Sequence, residues 1–159
     1  MNAVFEYLQG RGVVFTVIPH RVTEDGRPRP VDTPDEATVR TEVVMTGSGP
    51  SIMVIPGARE LDLDLARAAV GDPDARRATE LELLRLFPGY DPGTVPPLSL
   101  MLLAPMYVDP AVASRRAIVF AAGRSDVSVR IATRDLFGTD PVVITPLTTP
   151  APVELVDPA

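Results

Sequence analysis

Few side chains in this sequence could do chemistry, and its single histidine, His20, is the first of them. Histidine is the side chain most often used as a general base. His20 follows an apolar stretch and precedes a polar one, and no G-x-S-x-G motif marks a serine that would partner it. These features favour a strand-end histidine held by backbone groups, while a place for His20 in a substrate pocket stays open.

Other reactive residue types are missing altogether. Cysteine is absent, and all 15 Lys+Arg residues are arginine, which excludes disulfides, thiolate zinc sites, cysteine nucleophiles and lysine Schiff bases. There is no H-E-x-x-H motif, no carboxylate cluster with metal-loop spacing and no glycine-rich phosphate motif. We therefore predict no metal and no cofactor. The acidic residues at predicted helix starts are interpreted as caps: Asp62, Asp64, Glu80 and Glu82.

A loop from Gly89 to Pro97 is too rich in glycine and proline to form a helix or strand. Gly93 lets the backbone approach a ligand closely, and the Pro96-Pro97 pair fixes the backbone and removes two donors. Such a loop can present its remaining amides to a carbonyl or an oxyanion. On physical grounds alone, a purely structural turn is the stronger interpretation.

The elements that would position these residues follow from hydrophobic periodicity and caps. Helices are predicted over residues 2–9, 61–69 and 79–86, with one helical turn at 133–137. Strands are predicted over 13–18, 41–45, 51–55, 106–109, 117–121, 127–131 and 142–145, with 41–45 and 51–55 forming a hairpin. We expect an α/β (α+β-like) fold: a curled, mixed, six- to seven-stranded sheet, barrel-like, with helices packed outside.

Two segments show no periodicity of either kind. Residues 21–38 are polar and punctuated by proline, which predicts a long surface loop. The proline-rich residues 148–159 are predicted to be a frayed tail. The predicted organisation is one domain over residues 1–147 followed by that tail.

Composition limits the classes of partner. With 159 residues, 45% hydrophobic and 23% charged, the chain can bury a core. A net charge of −6 and a pI near 4.7 argue against a protein that coats nucleic acid or binds DNA, although a local arginine patch can still hold a few phosphates. No signal-like N-terminus and no run of about 18 apolar residues is seen, so we expect a cytoplasmic protein without membrane contact.

Six short segments, in order, resemble the YbaK/EbsC and prolyl-tRNA-synthetase-associated editing family. The segments are Phe15 to His20, Val39 to Val44, Val54 to Gly57 followed by Leu61 to Leu63, Gly93 to Pro97, Val108-Asp109 and Phe120 to Gly123. The resemblance implies a metal-free enzyme that hydrolyses the ester joining a wrong amino acid to the 3′-terminal adenosine of tRNA. It also implies that the ribose hydroxyl of the tRNA, or the side chain of the substrate, takes part in the reaction.

The resemblance also implies which residues form the site. Arg40 falls where the family has a lysine and is the implied catalytic residue, although a planar guanidinium does not replace a compact ammonium directly. The G-x-x-P loop, Gly93, Thr94, Val95 and Pro96, would line the aminoacyl pocket, facing Gly123 and Ser128, with His20 nearby. A second departure is the polar loop between His20 and Arg40, where relatives carry a helix.

Three hypotheses follow. The leading one is a trans-acting deacylase of tRNA mischarged with a small amino acid, in which Arg40 contacts the ribose or the ester carbonyl and water attacks. The second is a catalytically inactive family member that binds a nucleotide, an aminoacyl-adenosine-like ligand or a protein partner. The third is a hydrolase of some other acyl ester. The sequence specifies neither the amino acid, nor the tRNA, nor the oligomeric state.

Overall fold

Nine strands form the framework of the part of the chain that the computed structural model describes, residues 2–138 and 140–149. The strands are β1 (Phe15–Val22), β2 (Pro28–Pro30), β3 (Val39–Thr46), β4 (Gly49–Pro56), β5 (Arg76–Arg77), β6 (Met106–Val108), β7 (Ala117–Ala121), β8 (Val127–Ala132) and β9 (Val143–Ile144). One sheet has the order β2-β1-β8-β7, and the other has the order β5-β3-β4-β6-β9.

The two sheets curl toward each other. The first sheet is antiparallel throughout, whereas the second combines the antiparallel β3-β4 hairpin with the parallel pairs β4-β6 and β6-β9. A single bridge between Thr38 and Val119 links the sheets where β3 begins beside β7. This confirms the predicted fold class, a curled mixed sheet with helices outside, but the described residues form nine strands in two sheets where one sheet of six to seven strands was predicted.

Six helices pack around the sheets in the described residues: α1 (Ala3–Gly10), α2 (Leu63–Val70), α3 (Glu80–Leu86), α4 (Ser99–Leu102), α5 (Pro110–Ala113) and α6 (Thr133–Phe137). Side chains fix several of the helix starts. Asn2 caps α1, Asp62 caps α2, and Thr79 with Glu82 forms a capping box at α3. Within residues 2–138 and 140–149, no helix is both long and apolar enough to cross a membrane.

Strand β4 is the centre of the core. The side chains of Ile52, Met53, Val54 and Ile55 are all 0% exposed, as expected for a strand covered on both faces. Ile52 and Val54 face the main core between the sheets, and Met53 and Ile55 pack with residues of α2. Each such side chain contributes about 1.5–3 kcal/mol by its burial. The β3-β4 hairpin is therefore well packed, and it holds the residues at its ends in fixed positions.

Part of the predicted surface loop is structured. Residues 28–30 form β2, which pairs antiparallel with β1, and Asp35–Ala37 form a 3-10 turn. The prediction of a surface loop over residues 21–38 is wrong for these two pieces and for Arg21 and Val22, which continue β1 and pair with β2. A pairing of three residues leaves no periodicity in the sequence, because its strand is defined by its partner and not by its own pattern.

Candidate functional site

A cleft of about 480 Å³ opens where the two sheets diverge beyond the Thr38–Val119 bridge. Strands β1, β2, β3, β7 and β8 all contribute to it, together with the turn after β4 and the Gly89–Pro97 loop. Five residues predicted from the sequence line it: His20, Arg40, Gly93, Val95 and Ser128. The other lining residues are Thr23, Arg29, Pro30, Thr33, Asp35, Thr38, Val39, Thr41, Gly57, Ala58, Val119 and Ala121.

Arg40 carries its charge at the rim of this cleft. It lies opposite Ile55 in the hairpin register, and Ile55 belongs to the face that packs against α2. Its Nη2 donates to the carbonyl oxygen of Arg59 at 2.7 Å and lies 3.5 Å from a carboxylate oxygen of Glu60. Its Nε is buried and has no hydrogen-bond partner among the described residues. Because Nε is buried, only the Nη groups of this guanidinium can meet a ligand in the cleft.

Thr41, which the sequence reasoning did not select, faces the cleft from the other side of β3. It lies opposite Val54, which belongs to the core between the sheets. Thr41 also lines a smaller adjoining cavity of about 150 Å³, and that cavity shares Gly93 and Val95 with the cleft. Successive side chains of a strand point to opposite faces, so Thr41, next to Arg40, lies on the other face of β3. This alternation was the feature of the sequence that could have identified Thr41.

The predicted glycine-proline loop contributes only half of its four residues to the cleft. Gly93 has a φ of 78° and Val95 packs with Val43 and Phe87, and both line the cleft. Thr94 is buried, and its hydroxyl donates to the carbonyl of Asp91 at 2.6 Å. Pro96 is buried as well and does not line the cleft. Thr94 and Pro96 are thus buried on the side of the loop away from the cleft, where they help to hold its conformation.

Gly123 also lies behind the cleft surface. Its N–H donates to the carbonyl of Thr94 at 3.1 Å, and its own carbonyl accepts from the N–H of Asp91 at 3.0 Å. Its φ is 83°, and a Cβ at this position would lie 2.7 Å from Cδ1 of Tyr90. A glycine is required here because the loop and the β7-β8 connection are packed too closely for any side chain.

His20 and Ser128 are in direct polar contact within the cleft. Nε2 of His20 lies 2.7 Å from Oγ of Ser128, and Nδ1 lies 2.7 Å from the carbonyl oxygen of Ser125. A carbonyl oxygen only accepts, so Nδ1 carries a proton, and in the neutral ring the Ser128 hydroxyl donates to Nε2. The expected backbone contact of His20 is present. The serine partner, which no local motif marked, is supplied by the pairing of β1 with β8.

A carboxylate holds the backbone that orients this ring. Oδ2 of Asp91 accepts the N–H of Ser125 at 2.9 Å, and the N–H of His20 donates to the carbonyl of Asp126 at 3.1 Å. The turn between β7 and β8 is thereby tied to the Gly89–Pro97 loop on one side and to β1 on the other.

Arginines surround a second opening on the far side of Thr38. Nη1 of Arg115 donates to the Thr38 carbonyl at 2.9 Å, and Arg115 also lines a cavity of about 630 Å³ together with Arg116 and Arg134. Burial, and then the charge of Arg59 nearby, lower the pKa of Arg115. In the same cavity wall, the buried hydroxyl of Thr133 has no hydrogen-bond partner among the described residues. The three arginines and the Thr133 hydroxyl can together bind an anion next to the cleft.

Metal-ligating side chains do not cluster in this region. Over residues 2–138 and 140–149, no group of three or more histidine or acidic side chains comes together. The polar groups that line the cleft are hydroxyls, one imidazole, guanidinium groups, one carboxylate and main-chain amides. Such groups bind and polarise an ester or a ribose by hydrogen bonds.

A mixed, curled α/β domain with a ligand-sized cleft between its sheets is the class that the fold and the site define. The chain belongs to the aminoacyl-tRNA editing domain family, whose model matches residues 28–139. That match confirms the family resemblance drawn from the sequence. A comparison with curated proteins gives no match.

Several solved structures share the fold. The hypothetical protein APE2540 has a TM-score of 0.76 at 24% identity, with 92% of this chain and 99% of that chain covered. A candidate trans-editing enzyme for prolyl-tRNA synthetase has a TM-score of 0.72 at 23% identity, with coverage of 92% and 95%. A candidate signal transduction protein from Marinobacter aquaeolei VT8 has a TM-score of 0.71 at 16% identity, and only 31% of that chain is covered. At these identities the likeness concerns the fold alone.

Proposed function

We propose that the protein is a trans-acting aminoacyl-tRNA deacylase that hydrolyses the ester of a tRNA mischarged with a small amino acid. The reaction needs no metal, and it takes place in the cytoplasm, where tRNA is charged. The observation that carries the proposal is the cleft in which His20, Arg40, Gly93, Val95 and Ser128 meet, in a chain of the editing domain family. A structural neighbour named as a candidate trans-editing enzyme agrees with it.

The larger cleft suits the terminal adenosine of the tRNA. Its volume, about 480 Å³, lies within the range of small-molecule sites. Its rim carries the guanidinium of Arg40, which donates to the Arg59 carbonyl and forms an ion pair with the exposed Glu60. An exposed ion pair is weak, so the guanidinium can turn to the terminal ribose or to the ester carbonyl.

The smaller cavity suits the side chain of the amino acid. Its apolar lining comes from Val43, Ala78, Leu83 and Val95, and its volume is about 150 Å³. Because it joins the cleft at Thr41, Gly93 and Val95, an aminoacyl group can enter it while the adenosine stays in the cleft. Thr41, Glu42 and Arg77 complete its wall. A cavity of this size would accept a small side chain and reject a longer one by sterics.

Hydrogen-bond donors on the loop would stabilise the transition state. The main-chain amides of Gly93 and Val95 donate to no residue within the described part of the chain. Both residues line the cleft, and in the proposed reaction these amides would donate to the oxyanion that forms when the ester carbonyl is attacked. A ribose hydroxyl of the tRNA would complete the site. Thr94, Pro96 and Gly123 would set the loop without touching substrate.

The arginine cavity would hold phosphates of the acceptor end. Arg115, Arg116 and Arg134 line it, and the hydrogen bond from Arg115 to Thr38 places it next to the cleft. Arginine suits phosphate because its planar fork of donors matches the phosphate oxygens. Such a patch gives an acidic protein local affinity for tRNA.

The alternative is an inactive family member that binds a nucleotide, an aminoacyl-adenosine-like ligand or a protein partner. The observation that favours it is the tie between Arg40 and the Arg59 carbonyl, at the position where the family has a lysine. This alternative predicts that the cleft binds an aminoacyl-adenosine analogue while no mischarged tRNA is hydrolysed.

The size of the accepted side chain tests the proposal. We expect the wild-type protein to deacylate tRNA carrying small amino acids about 10-fold or more faster than tRNA carrying larger ones. Leu83→Ala enlarges the small cavity and should reduce this preference about 10-fold or more, because a methylene-sized change in an apolar pocket has that effect. Leu81→Ala is the matched control, since Leu81 lies on the same helix and is 56% exposed.

Rates with a panel of mischarged tRNAs provide the measurement. An unchanged size preference in Leu83→Ala would show that the small cavity does not receive the side chain. Absence of hydrolysis with every member of the panel would favour the inactive alternative.

A further inference from the structure

We propose that the main chain of Thr41, at an open edge of β3, binds the α-ammonium group of the acyl ester, so that the protein accepts aminoacyl esters and rejects N-acylated ones. The inference rests on the proposed function, which it deepens by naming the class of acyl group. Thr41 is 8% exposed and lines both the cleft and the small cavity that adjoins it. It therefore lies at the junction that the acyl group of a bound ester would occupy.

The ladder of β3 fixes the direction of the main-chain groups of Thr41. In an antiparallel pair, the N–H and C=O groups of successive residues face alternately toward the partner strand and away from it. The carbonyl of Val43 accepts from the amide of Ala78 at 2.9 Å, on the side of β3 away from β4. Thr41 lies two residues earlier on the same strand, so its N–H and C=O also face away from β4.

The partner strand gives the same result. Thr41 lies opposite Val54 of β4, and the Val54 carbonyl accepts from the amide of Asp109 at 3.0 Å, on the side of β6. Two opposite residues of an antiparallel ladder either exchange hydrogen bonds or both turn away from each other. Thr41 and Val54 are therefore a pair of the second kind.

The outward groups of Thr41 have no main-chain partner among the described residues. Strand β5 pairs with β3 at Val44 and Met45, which leaves Thr41 beyond its end. On the other side of Thr41, the two sheets separate after the bridge between Thr38 and Val119. Main-chain groups of buried residues are nearly always paired, with protein groups or with water. The edge at Thr41 thus offers one acceptor and one donor to a molecule that enters the cleft.

An aminoacyl ester carries a matching donor and acceptor on either side of its Cα. Two residues that pair across an antiparallel ladder exchange both N–H···O bonds, and extended ligands bind strand edges in the same way. In the bound ester, the α-ammonium donates to the Thr41 carbonyl and the acyl carbonyl accepts from the Thr41 N–H. An N-acyl group would replace the cation by a neutral amide and add bulk at the junction.

A carboxylate in the wall of the small cavity is a competing acceptor for the ammonium. Oε2 of Glu42 is buried and lies 3.6 Å from Nε of Arg77, so this carboxylate already has a cationic partner. The side chain of Glu42 also points to the face of β3 opposite to that of Thr41. The Thr41 carbonyl has no partner in the described part of the chain, and we assign the ammonium to it.

Binding of adenosine analogues that carry the acyl group in a stable 3′-amide tests the assignment. One analogue has an alanyl group, the second has a methyl group in place of the ammonium, and the third is N-acetylated. We expect wild-type protein to bind the alanyl analogue about 10-fold or more tightly than the other two, because they lose a hydrogen bond from a charged donor. Isothermal titration calorimetry measures the three affinities.

Nuclear magnetic resonance of isotope-labelled protein locates the contact. The alanyl analogue should shift the carbonyl resonance of Thr41 more than the methyl analogue does. The carbonyl of Val43 is the matched control, since it already accepts from Ala78. Equal affinity for the alanyl and methyl analogues, an unmoved Thr41 carbonyl, or failure of all three analogues to bind would overturn the assignment.

Glu42→Gln tests the competing acceptor. We expect this variant to retain the preference for the alanyl analogue over the methyl analogue. Loss of the preference in a folded variant would assign the ammonium to the carboxylate of Glu42 and overturn the assignment to Thr41.

Deacylation assays separate this inference from the proposed function. Hydrolysis of a mischarged tRNA and of its N-acetylated form at equal rates would keep the function and overturn the inference. Tighter binding of the alanyl analogue, with the shift at Thr41 but without hydrolysis of any mischarged tRNA, would support the inference and overturn the function.

Discussion

Arg40 decides between an enzyme and an inactive relative at the scale of one residue. If its guanidinium takes the place of the family's lysine, Arg40→Ala should lower deacylation by about 10²–10³, or about 2.7–4 kcal/mol, as for the loss of one oxyanion donor. Arg40→Lys should retain the activity or raise it. Single-turnover rates on a mischarged tRNA measure both, and good activity in Arg40→Ala would remove Arg40 from the mechanism.

Gly93 should matter for activity more than for stability. Its φ of 78° makes any side chain strained, but no atom lies within 4 Å of an added Cβ, so Gly93→Ala should cost about 1–2 kcal/mol of folding free energy. The same methyl group would enter the cleft and should lower turnover more than about 10-fold, because 1 Å of misplacement has effects of that order.

Gly89→Ala is the matched control for this substitution. Gly89 has a φ of 90° and equally open surroundings, and it does not line the cleft. Melting temperature and turnover should be measured together for both variants. Normal turnover per folded molecule in Gly93→Ala, with a large drop in melting temperature, would show that Gly93 is structural.

The residues of the cleft could be predicted from the sequence only in part. The resemblance selected His20, Arg40, Gly93, Val95 and Ser128, all of which line it. It did not reveal that His20 and Ser128 touch, since the contact depends on the register of β1 against β8. It also missed Thr41, whose importance comes from the face of β3 on which it lies.

At the scale of elements, Asp109 fastens the end of the described chain to the sheet. It is 3% exposed, and it accepts hydrogen bonds from Ala111, from Leu147 and from the amide and hydroxyl of Thr148. Burial raises the pKa of Asp109, but these four hydrogen bonds together outweigh it, so the pKa lies below its ordinary value. The ionised form is therefore the one that the fold stabilises.

Asp109→Asn should lower the free energy of unfolding by about 2–3 kcal/mol at neutral pH, because an amide group would face donors that need an acceptor. A carboxyl group whose pKa is lower in the folded state stabilises above its unfolded pKa, about 3.9, and loses that contribution as the pH falls through the folded pKa. The difference between wild type and variant should therefore shrink with acidification below about pH 4.

Urea unfolding at pH 7 and pH 3 measures this difference. Asp62→Asn is the control, since asparagine caps a helix as well as aspartate does and the variant should change by only a few tenths of a kcal/mol, about the spread among good caps. Equal stability of wild type and Asp109→Asn at both pH values would contradict the assigned role.

Elements with a pattern of their own were predictable, including the short β6, α6 and β9, whereas β2, β5, α4 and α5 were not. The hairpin of β3 and β4 and the capped helices α1, α2 and α3 follow from alternation, turn residues and caps. The two-residue β5 and the four-residue α4 and α5 are too short to show any periodicity. Their conformations are set by tertiary contacts, such as the bond from the Ala78 amide to the Val43 carbonyl beside β5.

At the scale of the whole molecule, charge is distributed unevenly. The net charge is −6, yet Arg115, Arg116 and Arg134 share one cavity beside the cleft. We expect Arg116→Ala with Arg134→Ala to weaken tRNA binding and to make it less sensitive to salt. The logarithmic slope should fall by about 0.7–0.9 for each phosphate that the variant no longer neutralises. Arg85→Ala on α3 is a single-charge control outside that cavity.

Binding measured across a series of salt concentrations gives this slope. A salt dependence that stays the same in the double variant would place the phosphates elsewhere on the surface.

The predicted domain over residues 1–147 and tail over 148–159 remain a prediction. Thr148 is already packed against Asp109, and residues 150–159 lie outside the described part of the chain.

The most direct test of the account is the rate at which the wild-type protein, in catalytic amount, frees small amino acids from mischarged tRNA. We expect many turnovers per protein molecule, well above spontaneous hydrolysis, with correctly matched larger aminoacyl groups left in place. Hydrolysis no faster than the spontaneous rate for every mischarged tRNA tested, while an aminoacyl-adenosine analogue still binds in the cleft, would contradict it and identify a binding protein.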